Sequence, residues 1–333
     1  MKYVQLGRSG LRVSSLCLGT DNFGTTTTEE DAWAIMDGAL DLGINLIDTA
    51  NVYGWRKGEG LTERIIGRWL SKGDGRRHRT VLATKVYGVI SDWPNDSFLS
   101  SLNIRRACEA SLRRLQTDYI DIYQLHHVDR RTPWDEIWDA MDVLRTQGKI
   151  LYVGTGNHPG WNLAQGQEAA RRRNAMGICS EQTVYNLLER RAELEVLPAC
   201  ENYGVGMLPW APLHGGLLGG VLRKEREGSL SRPLPGARVA TSKQQRNAKL
   251  ELHRSQLEAY EGFCVELGFD PSSVALAWLL GRPGVTAPII GPRTRSQLIS
   301  SVAALGLSLD DDALTRLEAI FPGPGPSPEA YAW

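Results

Sequence analysis

The chain has 333 residues, 38 basic against 38 acidic side chains and an apolar fraction of 42%. That balance leaves no overall basic field to draw nucleic acid or anionic lipid, and no run approaches the roughly 18 apolar residues that a membrane helix needs. The first ten residues lack the apolar core of a signal peptide, and five scattered cysteines (Cys17, Cys108, Cys179, Cys200, Cys264) form no CxxC pair, so a cytoplasmic globular protein with reduced thiols is expected.

Residues 3–6 and 11–14 flank Gly7-Arg-Ser-Gly10 and read as a β-hairpin, placed to plug one end of the main sheet. Residues 16–20, Leu-Cys-Leu-Gly-Thr, make the first strand of that sheet. Thr28 or a neighbour caps a helix over 29–42, with Ala32, Ile35, Met36 and Ala39 on one face, and Gly43 stops it. From there strand and helix alternate. Further strands are expected at 45–50, 80–86, 120–126, 150–154, 178–185, 206–211 and 287–291. Helices are expected at 62–70, 104–115, 161–173, 193–203, 255–267, 272–280, 294–305 and 310–320. Another starts at Pro133, where Trp134, Ile137, Trp138, Met141 and Leu144 repeat at helical spacing and mark a core face. The stretch 215–247 carries most of the breakers and a charge run, Arg223-Lys-Glu-Arg-Glu227, and has the length of a mobile loop. The tail 321–333 is too rich in proline for a helix; it would fold back with Tyr331 and Trp333 against the body or fray.

Eight strands alternating with helices imply an α/β chain forming one (β/α)8 barrel domain over residues 1–333. It would have an N-terminal hairpin, a long loop after strand seven, and an extra C-terminal helix and tail. The competing doubly wound sheet would need a GxGxxG after a first strand, and none is present. Barrel sites lie at the C-terminal strand ends. Asn45-Leu-Ile-Asp-Thr-Ala-Asn-Val-Tyr-Gly54 delivers Asp48 and Tyr53 there; Val81-Leu-Ala-Thr-Lys-Val86 delivers Lys85, and Ile120-Asp-Ile-Tyr-Gln-Leu-His126 ends on His126.

A phenol, with a reference pKa near about 10, donates poorly until a neighbouring ammonium stabilises the phenolate and lowers that value. A buried lysine tends to lose its proton, so a carboxylate is needed to keep it charged. Tyr53, Lys85 and Asp48 supply those three parts, and His126 can orient a substrate oxygen. Together they suit carbonyl reduction, in which hydride reaches carbon while Tyr53 protonates oxygen. Each residue alone has a plainer reading: a turn cap, a strand-ending tyrosine, a solvated lysine, a core histidine. In this order and spacing, Asp-Thr-Ala-Asn-Val-Tyr-Gly, Ala-Thr-Lys-Val and Gln-Leu-His-His-Val-Asp resemble the aldo-keto reductases, whose catalytic tetrad is Asp, Tyr, Lys and His. No cluster has zinc spacing; His126 and His127 are adjacent, hence expected on opposite strand faces, and no metal is expected.

The resemblance runs through the second half. Gly154-Thr-Gly-Asn157 is similar to the family's Gly-x-Ser-Asn, with Gly156 in place of the serine. Ser180-Glu-Gln182 with Tyr185-Asn-Leu-Leu188 is similar to its strand-six segment. The resemblance therefore implies that Asn157 and Gln182 hold a nicotinamide carboxamide, each offering a paired donor and acceptor. Pro209-Trp-Ala-Pro-Leu213 resembles Pro-Trp-Ser-Pro-Leu and implies that Trp210 stacks on the nicotinamide, with Ala211 lacking the serine's hydroxyl. Gly19, Thr20, Pro212, Leu213 and Gly291 complete the implied nucleotide contacts. Ile290-Gly-Pro-Arg-Thr294 opens a helix, a natural phosphate site, and in the family it clasps the adenosine 2′-phosphate. Arg293 is thus the candidate for NADPH over NADH, Gln297 fits the adenosine side, and Ser301 replaces a frequent asparagine.

His127, Asp21, Trp55 and Trp93 sit on strand-end loops and are candidates for the substrate pocket. Within the family, Asn51-Val-Tyr-Gly-Trp55, Leu125-His-His-Val-Asp-Arg-Arg-Thr-Pro-Trp-Asp135, His214-Gly-Gly-Leu-Leu-Gly-Gly-Val221 and the tail look closest to actinobacterial reductases of deoxysugar pathways, of the NDP-hexose 2,3-enoyl reductase and 3-ketoreductase type. That implies a nucleotide-linked keto-deoxyhexose as substrate, with Arg130 and Arg131 near its diphosphate. The alternatives are a general aldehyde or ketone reductase, a non-catalytic NADPH-binding regulatory subunit, and a barrel hydrolase using Asp48 with a second carboxylate.

Overall fold

Among the described residues ten strands organise the chain: β1 Tyr3–Gln5, β2 Arg12–Ser14, β3 Cys17–Gly19, β4 Leu46–Asp48, β5 Val81–Val86, β6 Ile120–Leu125, β7 Ile150–Gly156, β8 Ile178–Gln182, β9 Gly206–Met207 and β10 Ile289–Ile290. They are seen in a computed structural model that describes residues 1–54, 58–228 and 243–332, with 243–246 described by backbone alone. β1 and β2 pair as an antiparallel hairpin. The other eight run parallel in the order β10-β3-β4-β5-β6-β7-β8-β9. The two ends of that order meet, because Thr286 N donates to Met207 O at 2.8 Å and Ile289 N to Pro209 O at 2.8 Å. The result is a (β/α)8 barrel.

The helices among the described residues are α1 Glu29–Asp41, α2 Leu61–Leu70, α3 Arg76–Arg79, α4 Ser101–Leu115, α5 Trp134–Thr146, α6 Gly160–Arg172, α7 Val196–Tyr203, α8 Val221–Arg226, α9 Lys243–Leu252, α10 Arg254–Leu267, α11 Pro271–Leu280, α12 Arg295–Ala303, α13 Asp311–Ile320 and α14 Glu329–Ala332. Side-chain oxygens close several starts: Thr28 on α1, Ser100 on α4, Asp270 ahead of Pro271 on α11, Thr294 on α12 and Asp310 on α13. Each accepts from an N–H that the helix leaves unpaired. Strands such as β5 are buried along their whole length, as expected when helices cover one face and a filled barrel the other. The barrel interior holds Cys17, Leu46, Ala83, Ile122, Cys179 and Leu208, and Leu6 and Val13 of the hairpin close its floor. A large second layer lies between barrel and helices.

The β7–β8 register decides which side chains reach the site. Val153 pairs with Ile178 but Gly154 pairs with Ser180, so β8 contributes an extra residue, Cys179, as a bulge. Parity flips there: Gln182 turns into the barrel, while Glu181 turns out toward α7.

Several sequence expectations change. Strands seven and eight shorten to two residues each, and the helix expected at 193–203 begins at Val196 after a single 3-10 turn, Arg191–Glu193. α3 was not expected. The stretch read as a mobile loop contains α8 and the start of α9, because Val221 and Leu222 are buried beneath α10; its residues 229–242 lie outside the described residues. The tail does form a short helix, α14, beyond its prolines, and Tyr331 is exposed there rather than folded against the barrel. Trp333 lies outside the described residues. No single helix among the described residues is long and apolar enough to cross a membrane.

Candidate active site

One row of the barrel wall sets the site. Lys85 on β5 is in register with Gln124 on β6, and Gln124 with Gly154 on β7, so all three face inward at one level. A Cβ on Gly154 would lie 2.9 Å from Gln124 Cγ and 2.6 Å from Ser180 Oγ; glycine is what leaves room for the glutamine. Lys85 is fully buried, and its ammonium donates to Asp48 Oδ2 at 2.5 Å, to Thr49 O at 2.9 Å and to Tyr53 OH at 3.0 Å. Asp48 Oδ1 accepts from Gln124 Nε2 at 2.8 Å and from Gln182 Nε2 at 2.9 Å. Tyr53 reaches the site because Gly54 turns the chain at φ +100, where a Cβ would sit 2.5 Å from Leu61 at the start of α2. His126 stands edge-on to Tyr53, ring centres 6.0 Å apart.

The electrostatics reflect burial and pairing. Burial pulls the Lys85 ammonium toward losing its proton, but Asp48 and Tyr53 outweigh it and hold the lysine charged above its usual range. For Tyr53 the balance goes the other way from the sequence expectation. Lys85 lowers its pKa as anticipated, but burial dominates and, with Asp48 and Asp21, pushes the phenol up to about 12. Tyr53 therefore stays protonated, with a cation in hydrogen-bond contact to receive the charge when its proton leaves. The arrangement can donate a proton to an anionic oxygen.

At the rim, Asn157 takes a left-handed backbone at φ 58 and is a junction. Its N–H donates to Gln182 O at 2.9 Å, its Nδ2 donates to His126 O at 3.1 Å, and its Oδ1 accepts Trp210 Nε1–H at 2.9 Å. Trp210 keeps 37% of its surface exposed, presenting a flat apolar face. Its loop is tied down by Asn186, whose Nδ2 donates to Ala211 O; Pro212 is buried and Leu213 half-buried behind it. Gly19 packs against Ile289, and Thr20 gives its hydroxyl to Asp48 O at 2.8 Å, bracing Asp48. Gly291, Arg293 and Gln297 are exposed at the start of α12, with Gln297 Oε1 accepting Arg293 N–H. Ser301 spends its hydroxyl on Gln297 O inside that helix. These groups suit a nicotinamide nucleotide: Asn157 Oδ1 has a second lone pair and Gln182 an amide oxygen to accept from a carboxamide, Trp210 offers a stacking face, and Arg293 a cation.

Among the substrate candidates, Asp21 is exposed but close enough to act on Tyr53, and His127 is exposed beside His126. The two histidines are not on opposite faces. Their rings stack 4.6 Å apart and 6° from parallel, because β6 ends at Leu125 and strand alternation lapses beyond it. Trp93, Arg130 and Arg131 are exposed on the loops after β5 and β6, where both arginines act on Tyr87; Trp55 lies outside the described residues. Sequence reading missed Gln124, although a lone amide in the apolar run Ile-Tyr-Gln-Leu was a signal. It also missed Tyr87, His158 and Glu181. Among the described residues no group of three His, Cys, Asp or Glu side chains is arranged to hold a metal.

Glu181, outside the barrel wall, has Oε1 accepting His158 N–H at 3.0 Å, and burial pushes its carboxyl up to about 8. From about pH 4.5 to 8 the folded chain then holds a proton that the unfolded chain lacks. Stability should accordingly fall as pH rises through that window, by up to about 1.4 kcal/mol per pH unit, and level off above it. Glu181→Gln is expected to flatten this dependence in thermal melts and to raise Tm at pH 8; an unchanged slope would mean that Glu181 is ionised throughout.

The profile of the aldo/keto reductase family matches residues 15–321. The chain is 52% identical to an uncharacterized oxidoreductase, YrpG, of Bacillus subtilis, over all of both chains. It is 30% identical to the versiconal hemiacetal acetate reductase of Aspergillus parasiticus, covering 97% of this chain and 99% of that one. It is also 31% identical to a probable voltage-gated potassium channel subunit beta of rice, covering 99% and 100%.

Proposed function

This chain belongs to the aldo/keto reductase family and is an oxidoreductase, and on that premise we propose that it reduces a small-molecule carbonyl to an alcohol with NADPH. The observation that carries the reading is the buried Asp48–Lys85–Tyr53 chain, its phenol 3.0 Å from the ammonium. A reduced nicotinamide held by Asn157, Gln182 and Trp210 would supply hydride to the carbonyl carbon. Tyr53 gives the oxygen its proton, Lys85 stabilises the phenolate left behind, Asp48 keeps Lys85 charged, and His126 orients the oxygen. The test is loss of NADPH absorbance with a panel of aldehydes and ketones. Tight NADPH binding without turnover on any of them would favour the other reading, a non-catalytic nucleotide-binding subunit, which the likeness to the rice channel subunit brings into view.

For the nucleotide, exposed Arg293 at the start of α12 is the 2′-phosphate reader. Arg293→Ala is expected to raise KM for NADPH by about ten- to a hundredfold, the effect of one charge-assisted contact, and to change KM for NADH far less. Equal effects on both would remove Arg293 from that role. For the substrate, the arginine pair at 130 and 131 supports a carbonyl compound bearing an anionic group, a nucleotide-linked keto-deoxyhexose being the case to include in the panel.

A further inference from the structure

The amide of Asn157 can face only one way. Trp210 Nε1–H can only donate, so Oδ1 must be the atom 2.9 Å from it; His126 O can only accept, so Nδ2 must face it at 3.1 Å. The second hydrogen of Nδ2 is then aimed at His127 Nδ1, 3.3 Å away. An acceptor is required at that nitrogen, which makes His127 the neutral ring with its proton on Nε2. That ring is held between the face of His126 and the edge of Tyr87, 5.2 Å away.

We propose that neutral His127 is a positioning residue that keeps the Asn157 amide oriented for a nicotinamide carboxamide, and that protonating His127 loosens nucleotide binding. The proposal rests on the reading above that Asn157 receives the carboxamide. A protonated ring would set N–H against the N–H of Nδ2. Turning the amide over offers no relief, because Oδ1 would then meet His126 O, and Nδ2 the indole N–H. The ring or the loop must move instead, and the second lone pair of Oδ1 moves with it. Among the described residues, the titratable and charged groups around His127 include His126 on its stacked face, His158 on the turn before α6, Tyr87 after β5, and Asp129, Arg130 and Arg131 along its own loop.

The test is NADPH titration, followed by tryptophan fluorescence quenching, from pH 5.5 to 8.0. It compares wild type, His127→Gln, which keeps an acceptor that does not titrate, and His127→Phe, which keeps a ring without one. The ratio of wild-type Kd to His127→Gln Kd cancels the titration of the nucleotide's own phosphate. It is expected to rise about five- to tenfold toward acid, the loss of one hydrogen bond, while His127→Phe binds more weakly by a similar factor at every pH. A ratio near one throughout, or a His127→Phe variant with wild-type affinity, overturns the proposal. Absence of NADPH binding by the wild type at any pH would instead overturn the cofactor reading, so the two failures are distinct.

Discussion

Replacing Tyr53 with phenylalanine is expected to lower kcat by about 10²–10⁴-fold, the usual contribution of a positioned proton donor, while NADPH binding is unchanged. The phenol oxygen is in direct contact with the Lys85 ammonium, at 3.0 Å, and removing it leaves the ring in place. Steady-state kinetics and fluorescence titration on the same preparation separate the two effects. Near-normal turnover would sink the assignment of Tyr53 as donor. The pH profile sharpens the test: with the phenol held at about 12 before substrate binds, no decline in kcat/KM from its ionisation is expected below about pH 10.

The second large effect is on stability. Asp48→Ala removes the acceptor of three buried donors, Lys85 Nζ, Gln124 Nε2 and Gln182 Nε2, and leaves an ammonium with no exposed surface beside a cavity. Breaking one side of a buried ion pair costs about 3–5 kcal/mol, which a shift of the urea midpoint at constant slope would report. The paired change Asp48→Leu with Lys85→Met is expected to recover much of that loss and none of the activity, since the charge no longer needs a partner. A single variant that lost less than about 1 kcal/mol would mean that Lys85 is not charged in the folded chain.

The barrel is legible in the sequence, because eight apolar strand segments and their helical partners carry distinct periods and explicit caps and stops, such as Thr28 and Gly43. So are the strand ends that carry Asp48 and Lys85, since strand alternation within one segment places a residue on a face without reference to any other segment, while Tyr53 and His126, just beyond their strands, are legible as a motif. What escaped sequence reading depended on relations between segments. Gln124 joins the site because Gly154 of the next strand has no side chain. Gln182 is named by the resemblance, but the reason it faces the barrel in place of Glu181 is not legible: β8 inserts Cys179 against β7. His126 and His127 stack because β6 stops one residue earlier than its pattern of residues implies. The phenol of Tyr53 keeps its proton because burial, a property of the closed barrel, outweighs the ammonium beside it. Local pattern is written in each segment, whereas register, bulges and desolvation arise only when segments pack against one another.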